Sequence, residues 1–182
     1  MIEMFWGKSK PYKSLIHHMI DTGVTAKVLL VHANFRPVLD LLLRNSPMQQ
    51  DDLLGVMSYI SALHDIGKCH PSFQKGDPDS PVYDYLYKND LLMPERVEKG
   101  FRHEKYTAMV IQRIFKEKDR ASDRTTKTIS RILGMHHQGK EGAAYEIWDK
   151  TEWWLAQQDA IEEELYSLFK PKRINLGSGA HV

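Results

Sequence analysis

Leu63-His64-Asp65-Ile66-Gly67-Lys68 is the stretch of this chain best equipped for chemistry. An adjacent His and Asp at a helix end offer a nitrogen and a carboxylate to one cation, and the carboxylate can also bridge two. Gly67 ends the helix and turns Lys68 back toward the pair. A dipeptide alone arises by chance, and such residues often only cap the backbone. Three further histidine clusters change the odds. His136-His137 ends a helical stretch, where consecutive side chains can diverge onto one site. His103 opens another helix, on the inward stripe of Tyr106, Val110 and Ile114. A lone His on an apolar face is more often a satisfied core residue than a ligand, but this one is not alone. His17-His18 lies in the first helix, and periodicity does not choose between them. His18 shares a stripe with Leu15, Thr22 and Leu29, and His17 with Ile20, Val24 and Val28. Imidazole and carboxylate donors suit Zn, Mn, Fe, Co or Ni better than Ca, with Mg a further candidate. Mixed nitrogen and oxygen ligation around a bridging carboxylate is how two-metal hydrolytic sites are built. Of the other histidines, His32 reads as a helix end and His70 as a loop residue beside the site, while His181 fits no pattern.

Helices must position these groups. The first runs from about Ser14 to His32 and the second from Arg36 to Arg44, with Pro37 in its first turn. Ser46-Pro47-Met48-Gln49 reads as a capping box opening a third helix, which stops near Gly67. Residues 69–101, rich in Pro and Gly, read as a functional loop with short helical turns. Further helices span about His103–Lys118 and Asp123–Met135. The last opens on the capping pattern Asp149-Lys150-Thr151-Glu152 and stops before Pro171. No alternating apolar run appears, so strands should be few or absent. The expected fold is all-α, a compact helical bundle over residues 1–172, followed by a flexible tail at 173–182.

Composition narrows the function classes. The 182 residues suit one domain with a real core. Lys and Arg number 25 against 24 Asp and Glu, so no global basic field advertises nucleic acid. Lys8, Lys10 and Lys13 make only a local patch. Cys69 is the single cysteine, which fits a reducing cytoplasm. The first residues lack the pattern of a signal peptide. The longest apolar runs, such as Val28 to Val31, are too short to span a bilayer, so no membrane role is expected. No Walker-type phosphate loop is present, so any helicase must be a separate domain or chain.

The order His18, Leu63 to Lys68, His103, His136-His137 resembles the HD superfamily of metal-dependent phosphohydrolases. Trp6-Gly7-Lys8-Ser9, His18 to Thr22, Phe73-Gln74, Arg102-His103-Glu104 and Gly134 to Gly139 narrow the likeness. With them, the stretch from about Met4 to Phe169 resembles the HD nuclease domain of the helicase-nuclease of type I CRISPR systems. The stretch from Lys68 to Gln74 is the most telling part, because the motif is followed there by a Phe-Gln pair. The resemblance implies a metal-dependent nuclease acting on single-stranded DNA, working with a helicase domain and the CRISPR surveillance complex. It selects His18 over His17. It implies a first metal held by His18, His64 and Asp65, and a second held by Asp65, His103, His136 and His137. Lys68 would stand beside them, against a phosphate. The family carries one more Asp in a later helix to complete the first site. Nothing after Phe169 supplies it here, and Asp149 and Asp159 are poor substitutes. A chain truncated from a longer helicase-nuclease is favoured over a standalone form with an incomplete first site. Asp21 and Glu104 are candidates for orienting the ligand histidines. Lys8, Lys10, Lys13, Lys75 and Arg102 could guide a strand, with Trp6 or Tyr12 stacking on bases, although each lysine taken singly reads more readily as solvated surface. Two alternatives stay open: an HD enzyme acting on free nucleotides, and a non-catalytic docking domain.

Overall fold

A computed structural model describes residues 2–92, 101–137 and 151–174. A short hairpin comes first, β1 (Trp6–Ser9) against β2 (Tyr12–Ser14), antiparallel with Lys8 opposite Lys13 and an irregularity after Trp6. Its strands of four and three residues are too short to show alternation, which is why the sequence hides them. Ser14 then caps α1 (Leu15–Val31), its hydroxyl accepting from the His17 amide. After α2 (Arg36–Arg44), α3 (Gln50–Ala62) begins later than expected. Ser46 accepts from the Met48 amide and closes a turn before the helix, so the capping-box pattern serves that turn and not the helix itself.

The decisive segment follows α3. The chain tightens into a 3-10 turn over Leu63–Lys68, which carries His64, Asp65 and Lys68. Gly67 thus lies within a helical turn and does not terminate one. Short helices α4 (Pro71–Gln74) and α5 (Tyr83–Lys88) occupy the described part of the loop region. Then come α6 (His103–Glu117), α7 (Asp123–Gly134), capped by Ser122, and α8 (Thr151–Phe169). Asp149 and Lys150 of the predicted capping pattern lie outside the described residues.

α1 packs on α3, α6 packs on α7, and the 3-10 segment is wedged among α1, α6 and α8. One continuous core joins them, from Phe5, Leu15 and Met19 through Tyr59, Leu63 and Ile66 to Ile111, Phe115, Trp154 and Ile161. α8 closes the back of the active segment: Trp154 Nε1 donates to the Leu91 carbonyl and Gln158 Nε2 to the Cys69 carbonyl, at 3.1 and 3.0 Å. Farther along α8, Glu162 is fully buried beside the core and takes hydrogen bonds from Tyr59, Lys118 and Arg120, tying α8 to α3 and to the link between α6 and α7. The packed chain extends to Ile174, two residues past the boundary expected at 172. Ile174 is 2% exposed and bridges to Ala121. Residues 175–182 lie outside the described set. The second half of α1 and α2 leave Val24, Val28, Val31, Val38 and Leu41 exposed, so only part of the apolar surface of these helices enters the core. None of the described helices is long and apolar enough to cross a membrane.

Candidate metal centre

Asp65 stands at the middle, 2% exposed. Its two oxygens face different neighbours. Oδ2 lies 3.0 Å from His18 Nε2, 3.1 Å from His64 Nε2 and 2.8 Å from Lys68 Nζ. Oδ1 lies 3.1 Å from His103 Nε2 and 3.4 Å from His136 Nε2. His137 Nε2 approaches His103 Nε2 at 3.1 Å. Two groups of donors result, each with its atoms within 4.8 Å of one another: His18, His64 and Asp65, and Asp65, His103, His136 and His137. His17 is exposed and turned to Ser14, at 2.7 Å. The choice that periodicity leaves open falls on His18 by position.

The backbone sets the imidazole tautomers. His64 Nδ1 lies 3.0 Å from the Ser61 carbonyl and His136 Nδ1 2.6 Å from the Leu133 carbonyl. A carbonyl only accepts, so each Nδ1 carries a proton, and each neutral ring keeps its lone pair on Nε2. Both lone pairs then point at a carboxylate oxygen. That arrangement is stable only with a positive charge between them, a proton or a metal. Asp65 Oδ1 and His136 Nε2 are buried without a hydrogen-bond partner, so a cation held between them would satisfy both. Burial raises the Asp65 pKa, but the imidazoles of His103, His136, His18 and His64 lower it further, so its carboxyl is held far below the usual range. Burial lowers the His136 pKa, yet Asp65 and the Leu133 carbonyl raise it more. The donors present fit divalent transition metals, with imidazole nitrogens and one shared carboxylate. Among the described residues the His18 group contains no second carboxylate. Asp159 is bound to Arg113 at 2.8 Å, and Asp149 lies outside the described residues.

Close packing fixes the centre. A Cβ on Gly67 would lie 2.1 Å from the His103 carbonyl oxygen and 2.5 Å from the Thr107 amide nitrogen. Only glycine lets the start of α6 press so near. Thr107 Oγ1 accepts from the Gly67 amide and donates to the His64 carbonyl, clipping the two elements together. Lys68 is tethered by the Gly7 carbonyl at 3.1 Å. Gln74, fully buried, explains the Phe73-Gln74 pair: its amide donates to the Trp6 and Lys68 carbonyls, and its oxygen accepts from the Trp6 amide. Phe73 stacks on Trp6 at 4.4 Å and meets His103 edge-on at 5.4 Å. Sequence reasoning names neither Thr107 nor the Ser61 and Leu133 carbonyls. Hydroxyls and backbone groups act through position, which residue type does not reveal.

The expected accessory residues divide. Trp6 is engaged by Phe73 and Gln74, while Tyr12 is 43% exposed. Lys8 and Lys10 are exposed; Lys13 is bound to Asp21, and Arg102 to Glu104 at 2.5 Å. Lys75 is half-buried. Asp21 is therefore turned to solvent and Lys13, whereas Glu104 is 3% exposed and 3.9 Å from His103 Nδ1. His70 caps α4 by accepting from the Ser72 amide and stacks on Phe101 at 4.5 Å. Burial pushes its pKa down to about 4. An unfolded His protonates near 6.5, so between these values the unfolded chain binds a proton that the folded one refuses. Folding stability of the metal-free chain should hold above pH 6.5 and fall by up to ~3 kcal/mol toward pH 4 through this residue. Urea unfolding at stepped pH checks this: His70→Phe should show a shallower decline than wild type, and equal slopes would refute the assignment.

The sequence matches the family described as "Cas3, HD domain" over residues 6–180. A curated relative, the CRISPR-associated endonuclease/helicase Cas3 of Thermus thermophilus, is 27% identical over 133 residues, covering 72% of this chain and 14% of the relative. The T. fusca Cas3–ADP crystal structure aligns with a TM-score of 0.73 at 18% identity, over 94% of this chain and 20% of that one. A CRISPR RNA-guided surveillance complex in its pre-nicking state gives a TM-score of 0.68 at 16% identity, over 93% of this chain and 21% of the matched one. The chain thus spans about a fifth or less of these relatives' lengths, and its helical fold is theirs in that part. By a match running almost end to end, the chain belongs to the family of Cas3 HD domains.

Proposed function

We propose that the chain is the metal-dependent nuclease part of a type I CRISPR Cas3 system, a hydrolase cutting phosphodiester bonds of single-stranded DNA in antiviral defence. The observation that carries this is Asp65: one buried carboxylate whose two oxygens face two separate sets of imidazole nitrogens. In support, the curated relative's name joins endonuclease and helicase, so a helicase domain, in the same or a separate chain, is the partner expected here. The surveillance complex is the other, and the site of action is the cytoplasm, in keeping with one buried cysteine.

His18, His64 and Asp65 would hold one metal, and Asp65, His103, His136 and His137 a second, drawn from Mn, Ni, Co, Fe or Zn, or Mg. Bound there, such ions supply Lewis acidity toward a phosphoryl oxygen and lower the pKa of a water toward neutrality. The chain's own residues do the rest. The Ser61 and Leu133 carbonyls hold His64 and His136 in the tautomer that presents Nε2. Asp65 stays ionised and serves both donor groups. Lys68, 11% exposed and anchored by the Gly7 carbonyl, holds a fixed positive charge beside Asp65 to offset charge developing on the phosphoryl group. Lys8 and Lys10 on the hairpin are the expected guides left most open to a strand.

The test supplies Mn, Ni, Co and Mg in turn and follows cleavage of a single-stranded oligonucleotide beside hydrolysis of free nucleotides. Metal-dependent strand cleavage is expected, lost in Asp65→Ala. No cleavage with any metal overturns the reading. Nucleotide hydrolysis without strand cleavage replaces it with the nucleotide-directed alternative.

A further inference from the structure

Gln74 is fully buried at the end of α4, a helix of only four residues. Its side-chain hydrogen bonds all run to other segments. Nε2 donates to the Trp6 carbonyl at 3.1 Å and to the Lys68 carbonyl at 2.9 Å, and Oε1 accepts from the Trp6 amide at 3.1 Å. The Trp6 indole Nε1 adds a fourth bond, to the Gln74 carbonyl at 3.2 Å. Two donors and an acceptor at one tip are what an amide offers, whereas methionine, of similar size, has no donor. Burying such a group costs free energy unless its polar atoms are matched. Here they are matched, and the matches join β1 to the end of the 3-10 segment.

What this clamp joins faces the metal centre. Gly7 follows Trp6, and its carbonyl accepts from Lys68 Nζ at 3.1 Å. β1 is seated hard against α1 there: a Cβ on Gly7 would lie 3.0 Å from Leu15 Cα and 3.3 Å from His18 Cβ. The Lys68 ammonium also lies 5.3 Å from the centroid of the Phe73 ring, which stacks on Trp6. Asp65 Oδ2 holds it too, at 2.8 Å, but His18 and His64 face that same oxygen at 3.0 and 3.1 Å. A cation held by His18, His64 and Asp65 would draw on that oxygen's charge. The Gly7 carbonyl is then the anchor that the ammonium does not share. Its place depends on the residue before it, which Gln74 grips by both amide and carbonyl.

We propose that Gln74 is a positioning residue for strand cleavage. By clamping Trp6 to the Lys68 backbone it fixes the Gly7 carbonyl, and through that carbonyl it holds the Lys68 ammonium where charge develops on the phosphoryl group. The inference rests on the nuclease reading of the centre. Gln74 touches neither the donor histidines nor Asp65, so its whole effect on the reaction passes through Lys68. A purely structural amide would instead lower activity to the same degree whether or not Lys68 is present.

The experiment is a double-mutant cycle on cleavage of a single-stranded oligonucleotide, joined to a labelling measurement that needs no activity. Gln74→Met keeps the size and removes the donors; its kcat should fall by about tenfold to a hundredfold, with KM within about threefold of wild type. In a Lys68→Met background the same substitution should change kcat by less than about threefold, because the group it positions is gone. Trp6→Phe keeps a ring against Phe73 and removes only the indole bond to the Gln74 carbonyl. It should lower kcat by about threefold to tenfold with the same dependence on Lys68, so the result does not hang on Gln74→Met folding. In chelator, acetylation of lysines is followed by mass spectrometry. Gln74→Met should speed labelling of Lys68 by about tenfold relative to Lys118, which is ion-paired to Glu162 and Glu163 elsewhere in the fold. Equal kcat losses with and without Lys68, a loss confined to KM, or equal acceleration at Lys118 overturns the proposal. The nuclease reading fails separately: no cleavage under any metal removes the chemistry, while the labelling still decides whether Gln74 holds Lys68.

Discussion

Gly67→Ala lowers the stability of the metal-free chain by about 3 kcal/mol or more, measured by urea unfolding. The added carbon would stand 2.1 Å from the His103 carbonyl oxygen and 2.5 Å from the Thr107 amide, both backbone. Neither is the end of a flexible side chain, so α6 must move away as a body. Moving it breaks the Gly67 to Thr107 and Thr107 to His64 hydrogen bonds and separates His103 from Asp65. The loss should therefore appear in stability and in metal uptake together. Thr107→Val removes the hydroxyl while keeping the shape and should cost less, about 1–2 kcal/mol. A Gly67→Ala chain with wild-type stability would show that the approach of α6 is not rigid.

Asp65→Ala has the largest expected effect on activity, a fall of about 10³-fold or more, equivalent to ~4 kcal/mol of transition-state stabilisation. It removes the one residue common to both donor groups, so the metal bound per chain, counted by elemental analysis after dialysis, should approach none. His18→Ala is the informative partner, because it touches only the His18, His64 and Asp65 group. It should retain metal at the Asp65, His103, His136 and His137 group. Equal loss of metal in both variants would mean that the two groups act as one indivisible centre.

Most of the donor set is legible in the sequence because its chemistry lies in residue types. His64-Asp65, His103 and His136-His137 each fall at a helix end, and the apolar period marks their helices. The choice of His18 needs the family resemblance, since α1 puts His17 and His18 on adjacent stripes of similar composition. What stays hidden depends on contacts distant in sequence or on backbone atoms. In the sequence Gln74 is half of a motif; in the fold it is a buried clamp, 68 residues from its partner Trp6. Gly67 reads as a helix stop and acts as clearance for another helix. A net charge of +1 gives no hint that Lys105 of α6 and Lys127 and Arg131 of α7 line one open groove, because they belong to different helices.

The two oxygens of Asp65 look onto walls of unequal stiffness. On one side, His64 is locked between the Ser61 carbonyl and Thr107, in a segment wedged among three helices. On the other, His137 is exposed, past the last residue of α7, and its ring nitrogen meets His103. Amide exchange should be slow at Gly67, whose N–H is buried in its bond to Thr107, and faster at His137. For the metals proposed above, the expected consequence is that ions exchange through the His137 side while the His64 side keeps its shape.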